Sequence, residues 1–329
     1  MQFQPDAQDA KYFTTATKQC RIGATLRAFS KQAAERVLVG GSALANRRRG
    51  RLGHSLVLAY HNIIPAGEAA AGEHALHLPQ RLFADQLDRL CTSHEVVSLT
   101  EIFAQPIHGT GRPRAAITFD DAYRGAVTAG ISELQARALP ATVFVAPAFV
   151  PDGTFWWDAF AGVNGELDPR IRAHALAQCR GEDASVRIWA SNAGMQAREL
   201  PGHTAVASGT ELANAARIPG ITIASHTWSH CNLAQLTYEQ AREQLRASLA
   251  WVKEQFSSAI PWLSYPYGLS TPRVERLAQS LGYEGAVCIS GGYVRPLHAG
   301  VFSVPRVNVS SALSTNGFRL RVAGLVDAG

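Results

Sequence analysis

Short apolar runs alternating with amphipathic stretches from Ser55 onward predict an α/β protein built on a parallel sheet, either open or closed into a barrel. The chain has 329 residues, 47% of them hydrophobic and 17% charged, enough to bury one large core and too apolar for wholesale disorder. A third observation is positional. Tyr60-His61, Asp120-Asp121, His226 and Tyr267-Gly268 each fall at or just past the end of a predicted strand, where parallel α/β folds gather their chemistry.

Taken in order, Leu56–Tyr60 (LVLAY) reads as a buried strand, Gln80–Leu90 as a helix and Glu95–Leu99 as a short strand. Ala115–Phe119 is a strand, Ala122–Ala138 a helix and Ala141–Ala146 a strand. After Pro151 the rhythm lapses into polar, Gly-rich sequence with one helical piece, Pro169–Gln178, so 151–219 reads as a long insertion between two strands. The alternation resumes with strand Ile221–Ser225, helix Tyr238–Phe256, strand Trp262–Pro266, helix Pro272–Leu281 and strand Gly285–Ile289. Upstream, Leu26, Phe29, Ala33 and Val37 have helical spacing within Ala24–Ala45, ahead of Gly40-Gly41 and the basic run Arg47-Arg48-Arg49-Gly50-Arg51. Residues 1–53 therefore read as a basic helical extension and linker, with contact between 24–51 and an anionic membrane surface or a partner as the alternative. Residues 54–329 read as one body that carries the strand–helix alternation, with the insertion at about 151–219.

Composition narrows the function classes. Net charge is +5, but residues 1–53 hold ten Lys/Arg against three acids, and the remainder carries 21 against 23. A nucleic-acid-binding domain concentrates positive charge on its folded body, and this one does not. Five widely spaced cysteines without a CxxC pair argue for free thiols. No apolar run approaches the ~20 residues that span a bilayer. The first ten residues include Asp6 and Asp9 and lack the apolar core of a secretory signal, so a cytoplasmic location is expected.

The reactive residues form three groups. Asp120 and Asp121 follow a strand, so they point in different directions; one suits a cation and the other a free base. The competing reading is a carboxylate pair capping the helix that follows. His226 and His230, in SHTWSH, are spaced i, i+4, which on a helical turn puts both imidazoles on one face. With Asp121 they make a one-carboxylate, two-histidine set suited to Zn²⁺ or a similar borderline metal, with positions left for water and substrate. The same set also holds Fe(II) in non-haem oxygenases, although on jelly-roll folds with an HxD pair. In YPYG, the backbone N–H of Tyr267 is a candidate oxyanion donor; a plain strand-ending turn is the alternative.

TFDD at Thr118–Asp121, SHTWSH at Ser225–His230 and YPYG at Tyr265–Gly268, in that order, resemble the motifs of polysaccharide deacetylases, the NodB-homology domains of carbohydrate esterase family 4. The resemblance covers roughly His54 to Val309. It implies a distorted (β/α)7 barrel and metal-assisted removal of an acetyl group from an N-acetylated sugar. It also implies that Asp120 is the general base, that Asp121, His226 and His230 are metal ligands, and that Tyr267 helps hold the oxyanion. Two features depart from the common pattern. The late Leu-x-His motif that supplies the general acid is absent, and the late histidine present, His298, sits in a loop-like RPLHAGVF. LVLAYHNI instead resembles the circularly permuted biofilm poly-N-acetylglucosamine deacetylases, which assigns the acid to His61. The usual arginine two residues before the proline is Ser264, and Arg306 in VPRVNV is the candidate substitute for orienting Asp120. Trp156-Trp157-Asp158 matches the aromatic wall and acidic partner that the family places beside its site, or else anchors the insertion. Hydrolysis of a non-sugar amide on the same barrel, and a non-catalytic glycan-binding barrel, are the alternative functions.

Overall fold

The computed structural model describes Glu35 and residues 55–103, 112–289, 292–294 and 300–324. The basic extension, apart from Glu35, and His298 lie outside the described residues. Glu35 is helical and buried, and its Oε2 accepts a hydrogen bond from Ser314 Oγ (2.5 Å).

Nine strands join one all-parallel sheet. They are β1 (Leu56–Tyr60), β4 (Glu95–Val96), β5 (Arg114–Phe119), β6 (Ala141–Val145), β7 (Ile221–Ser225), β8 (Ala259–Ser264), β9 (Gly285–Cys288), β10 (Val304–Pro305) and β11 (Val307–Asn308). The order β10-β9-β8-β7-β6-β5-β1-β11 all but closes the sheet, because β10 pairs with β9 while β11, one residue later, pairs with β1. Val304 to Asn308 thus form one bent stave bridging the first and last strands, with Arg306 at the bend. The result is a distorted parallel barrel. Two short strands outside it, β2 (Asn62–Ile64) and β3 (His77–Pro79), pair in parallel beside the first helix, α1 (Gln80–Ser93).

Strand periodicity divides the side chains. Val57, Ala116, Phe144, Ala224, Trp262, Val287 and Val304 form the interior cluster. Leu56, Leu58, Tyr60, Ile117, Phe119, Val143 and Ile223 face outward into a second cluster shared with the helices. At the N-terminal end of the strands, Ser55 bridges Val294, and its Oγ donates to the Ile102 carbonyl (3.3 Å). The opposite, C-terminal end is left to polar groups.

Several expected elements shift. The strand expected at Trp262–Pro266 is Ala259–Ser264, and that expected at Glu95–Leu99 ends at Val96. The helix expected over Ala122–Ala138 begins two residues late, at Arg124, and passes through a π turn at Ala126–Gly130 into α2 (Ile131–Gln135). The cause is competition for backbone hydrogen bonds. Ala207 N–H donates to the Ala122 carbonyl and Arg124 N–H to Ala205, so the first turn is tied sideways to the insertion. The insertion also holds more helix than its composition suggests: α3 (Trp156–Ala159), α4 (Pro169–Gln178), α5 (Asp183–Asn192) and α6 (Gly209–Ala216). The series continues with α7 (Tyr238–Gln255), α8 (Pro272–Ser280) and α9 (Thr315–Val322). Capping boxes at Ser208/Glu211 and Thr237/Gln240 start α6 and α7 by satisfying their first free N–H groups. No helix among the described residues is long and apolar enough to cross a membrane.

Candidate active site

Inward positions recur every second residue, so the strands that fill the interior carry their next inward residues to the C-terminal mouth. Continuing from Val57 and Ala59 leads to His61, from Ala116 and Thr118 to Asp120, and from Ala224 to His226. Register agrees: Tyr60 pairs with Phe119, and Asp120 N–H donates to the Tyr60 carbonyl (2.9 Å). Asp121 and Ala122 then adopt left-handed backbone (φ 68° and 50°). The carboxylate pair does not cap a helix.

The histidines do not lie on a helical turn as expected. Thr227 and His230 are left-handed (φ 64° and 52°), and the loop's backbone bonds run sideways, from His226 N–H to Val145 and from Ala148 N–H to Trp228. The kinked loop still brings both rings to one point. Nε2 of His226 and of His230 lie 3.4 and 3.2 Å from Asp121 Oδ1, and all three side chains are buried. His226 Nδ1 sits 2.8 Å from the Ser264 carbonyl, which fixes a proton on that nitrogen and turns Nε2 toward the carboxylate. Asp121 Oδ1 is buried without a hydrogen bond. Lone pairs converging on an unpartnered, buried carboxylate oxygen fit a divalent cation, and three such donors leave coordination positions open.

Charge balance points the same way. Arg306 is fully buried and holds Asp120 through two bonds, Nη1 to Oδ1 (2.8 Å) and Nη2 to Oδ2 (2.6 Å). The guanidinium also donates to Thr118 Oγ1 (3.1 Å) and Ser264 Oγ (2.9 Å), and it lies over the Phe144 ring. Burial favours the neutral acid, but the charges of Arg306, His226 and His61 outweigh it and hold the Asp120 carboxyl down to about 2. Asp121 is likewise buried yet held well below the usual carboxylate range by the two imidazoles. Asp120 and Asp121 thus share one guanidinium, and the remaining compensation falls to the histidines or to a cation that they hold. Ser264 links both halves, its hydroxyl on Arg306 and its carbonyl on His226.

His61 is buried beside this cluster. Burial pushes its pKa below the ordinary value, and the fields of Asp121 and Asp120 oppose that shift. Tyr267 is left-handed (φ 59°, ψ 8°), and its hydroxyl donates to the Gly181 carbonyl (2.7 Å) in the insertion. Its ring, with Trp157 and Phe155, lies against His230 at centroid distances of 4.8, 4.9 and 5.6 Å, an aromatic wall beside the histidines.

Asp158 anchors the insertion. Its carboxylate accepts from His77 Nε2 (2.8 Å), Glu73 N–H (2.9 Å) and Tyr123 Oη (2.6 Å), and Trp157 Nε1 donates to the same tyrosine oxygen (2.9 Å). Asn62 donates its amide to Nδ1 of His77 (2.9 Å) and of His203 (3.2 Å). Gly72 (φ 74°) passes so close that a Cβ would overlap the carboxylate. This clasp joins the insertion to β2 and β3. Sequence reasoning missed His77, Asn62, Tyr123 and His203, whose signal is weak: HxP and HN pairs lie outside any catalytic spacing.

A polysaccharide deacetylase family model matches residues 108–286, more than half of the chain. A curated Bacillus subtilis protein, YxkH, whose name assigns it provisionally to the polysaccharide deacetylases, is 29% identical over 99 residues. That alignment spans 30% of this chain and about a third (35%) of the relative. Among solved structures, the Streptococcus pyogenes deacetylase PplD in complex with acetate superposes with a TM-score of 0.56 at 15% identity, covering 82% of this chain and 97% of that one. IcaB from Ammonifex degensii gives 0.56 at 19% identity, covering 83% and 96%. At these identities the likeness is one of fold.

Proposed function

This chain belongs to the polysaccharide deacetylase family, and from that premise we propose that it hydrolyses the N-acetyl group of an amino-sugar glycan with a divalent cation, Zn²⁺ by donor chemistry. The observation that carries the reading is the convergence of Asp121, His226 and His230 beside an arginine-held Asp120 at one barrel mouth. The similar PplD structure holds acetate, the acid that such a reaction releases.

A cation held by Asp121, His226 and His230 supplies Lewis acidity, polarising the acyl carbonyl and acidifying water. Asp120 accepts the proton of the attacking water. It is ionised at any working pH, and although each oxygen bonds Arg306, each keeps a second lone pair. Arg306 and Ser264 fix the plane of that carboxylate. The Tyr267 N–H donates to the developing oxyanion. His61 protonates the departing nitrogen, which as an amide leaves poorly without a proton. Trp157, Phe155 and Tyr267 wall the metal side against bulk water.

The test is acetate release from a panel of N-acetylated oligosaccharides, run with elemental analysis. Asp120→Asn keeps the metal and loses on the order of 10² to 10⁴ in turnover, whereas His226→Ala and His230→Ala lose the metal itself. Wild-type turnover in the Asp120 variant, or a metal-free wild type that deacetylates at full rate, overturns the assignment.

A further inference from the structure

Arg306 and Asn308 lie on one face of the closing stave, because Val307 and Val309 between and beyond them face outward into the helix-side cluster. Arg306 points inward to Asp120, so Asn308 points inward too, toward the mouth. Asn308 pairs with Ala59 on β1, and Val309 N–H donates to the Ala59 carbonyl (2.9 Å). His61 is the next inward residue after Ala59, so Asn308 is its diagonal neighbour across the β1–β11 pair. Ala59, paired with Asn308 in the register, contributes only a methyl group on that side of the stave.

The Asn308 side-chain oxygen is buried and accepts no hydrogen bond from any described residue. An unpaired buried carbonyl is costly, and native proteins satisfy nearly all such groups. Its backbone carbonyl, in contrast, is bonded to Arg321 Nη1 (3.0 Å), so the stave itself is firmly held. A fixed, unpaired acceptor next to the candidate proton donor awaits a donor brought by the substrate.

We propose that Asn308 Oδ1 accepts the N–H of the scissile amide and thereby makes the site selective for N-acyl over O-acyl substrates. The inference rests on the deacetylase reading. The two neighbouring strands then act on one nitrogen from different sides: Asn308 takes its N–H, which raises electron density on nitrogen, and His61 delivers a proton to its lone pair as the C–N bond breaks. The products are acetate and the free amine. An ester has no hydrogen at that position and leaves Asn308 unpaired, and a site built for a hydrogen-bonding group discriminates against an analogue lacking it.

The experiment compares wild type with Asn308→Leu on an N-acetylglucosamine tetramer and on an O-acetylated xylo-oligosaccharide of the same length, alongside thermal melting. The expected result is a drop of ~10- to 100-fold in kcat/KM for the amide and less than ~3-fold for the ester. The Leu variant should melt no lower than wild type, since the change removes an unpaired polar group. Equal losses on both substrates, no loss on either, or a lowered melting temperature with parallel losses overturn the proposal. If wild type cleaves neither substrate, the deacetylase reading fails separately, and calorimetric binding of the tetramer decides for Asn308. Weaker binding by the Leu variant supports it as an amide acceptor; equal binding, or none by wild type, refutes it.

Discussion

Replacing Arg306 with Met is the perturbation whose size follows most directly from the structure. The guanidinium is 0% exposed and makes two short bonds to Asp120, so the variant leaves a buried carboxylate with its strongest partner gone. Breaking a buried pair from one side costs ~3 to 5 kcal/mol, more than the net worth of the pair, because the remaining charge is uncompensated. Linkage gives a second estimate. Holding the Asp120 carboxyl at about 2 instead of its ordinary 3.8 corresponds to roughly 2 kcal/mol at neutral pH. The sign is that of a depressed acid: the unfolded chain takes up the proton first as pH falls, so this stability is present above about pH 4 and is lost toward about pH 2. The assay is urea unfolding of metal-free protein, followed by circular dichroism, for wild type, Arg306→Met, Asp120→Asn and the double variant. The double variant should recover ~2 kcal/mol relative to Arg306→Met, since the charge left uncompensated at position 120 is gone. A loss below ~1 kcal/mol in Arg306→Met, or a further loss on adding Asp120→Asn, would falsify the view that this pair is held by charge compensation.

Other outcomes follow from the clasp around Asp158. Asp158→Ala strips the acceptor from His77, Glu73 N–H and Tyr123 at once, so a cost of ~3 kcal/mol or more is expected by denaturant titration. Hydrogen exchange should speed up around Trp156–Ala159 before it does in the strands; uniform acceleration would mean that the clasp does not hold the insertion locally. His203 is pushed by burial below its ordinary value, so the unfolded chain protonates first and stability should fall as pH drops below about 6.5. In His203→Gln the difference in stability between about pH 7 and about pH 5.5 should shrink; an unchanged slope rejects His203 as a contributor. Gly72→Ala forces a Cβ onto the Asp158 carboxylate in a left-handed position, and a loss of ~2 kcal/mol or more in stability is expected.

Much of the fold was legible from periodicity. Leu56–Tyr60, Ile221–Ser225 and Pro169–Gln178 have the bounds that the pattern predicts, because their runs are bordered by polar or helix-starting residues. Legibility failed where backbone groups had two competing partners. Ala122 and Arg124 have helical composition, yet the Ala122 carbonyl and the Arg124 N–H bond Ala207 and Ala205, 85 and 81 positions away. The closing stave escaped notice for a related reason. Val304–Asn308 is too short and too interrupted to read as a strand, and it exists because two different edges each pair with two of its residues.

The identity of the chemical groups was a property of the sequence: adjacent aspartates after an apolar run, two histidines four apart and a tyrosine after proline are set by residue type and spacing. Which groups meet was not. His226 and His230 converge through left-handed loop residues instead of a helical turn, and Asp158 bonds His77, a residue that no spacing singled out. Arg306 reaches Asp120 across 186 positions of chain. Partners so distant are chosen by barrel closure, which brings the last strand beside the first, and local spacing carries no information about an edge that exists only once the sheet has curled onto itself.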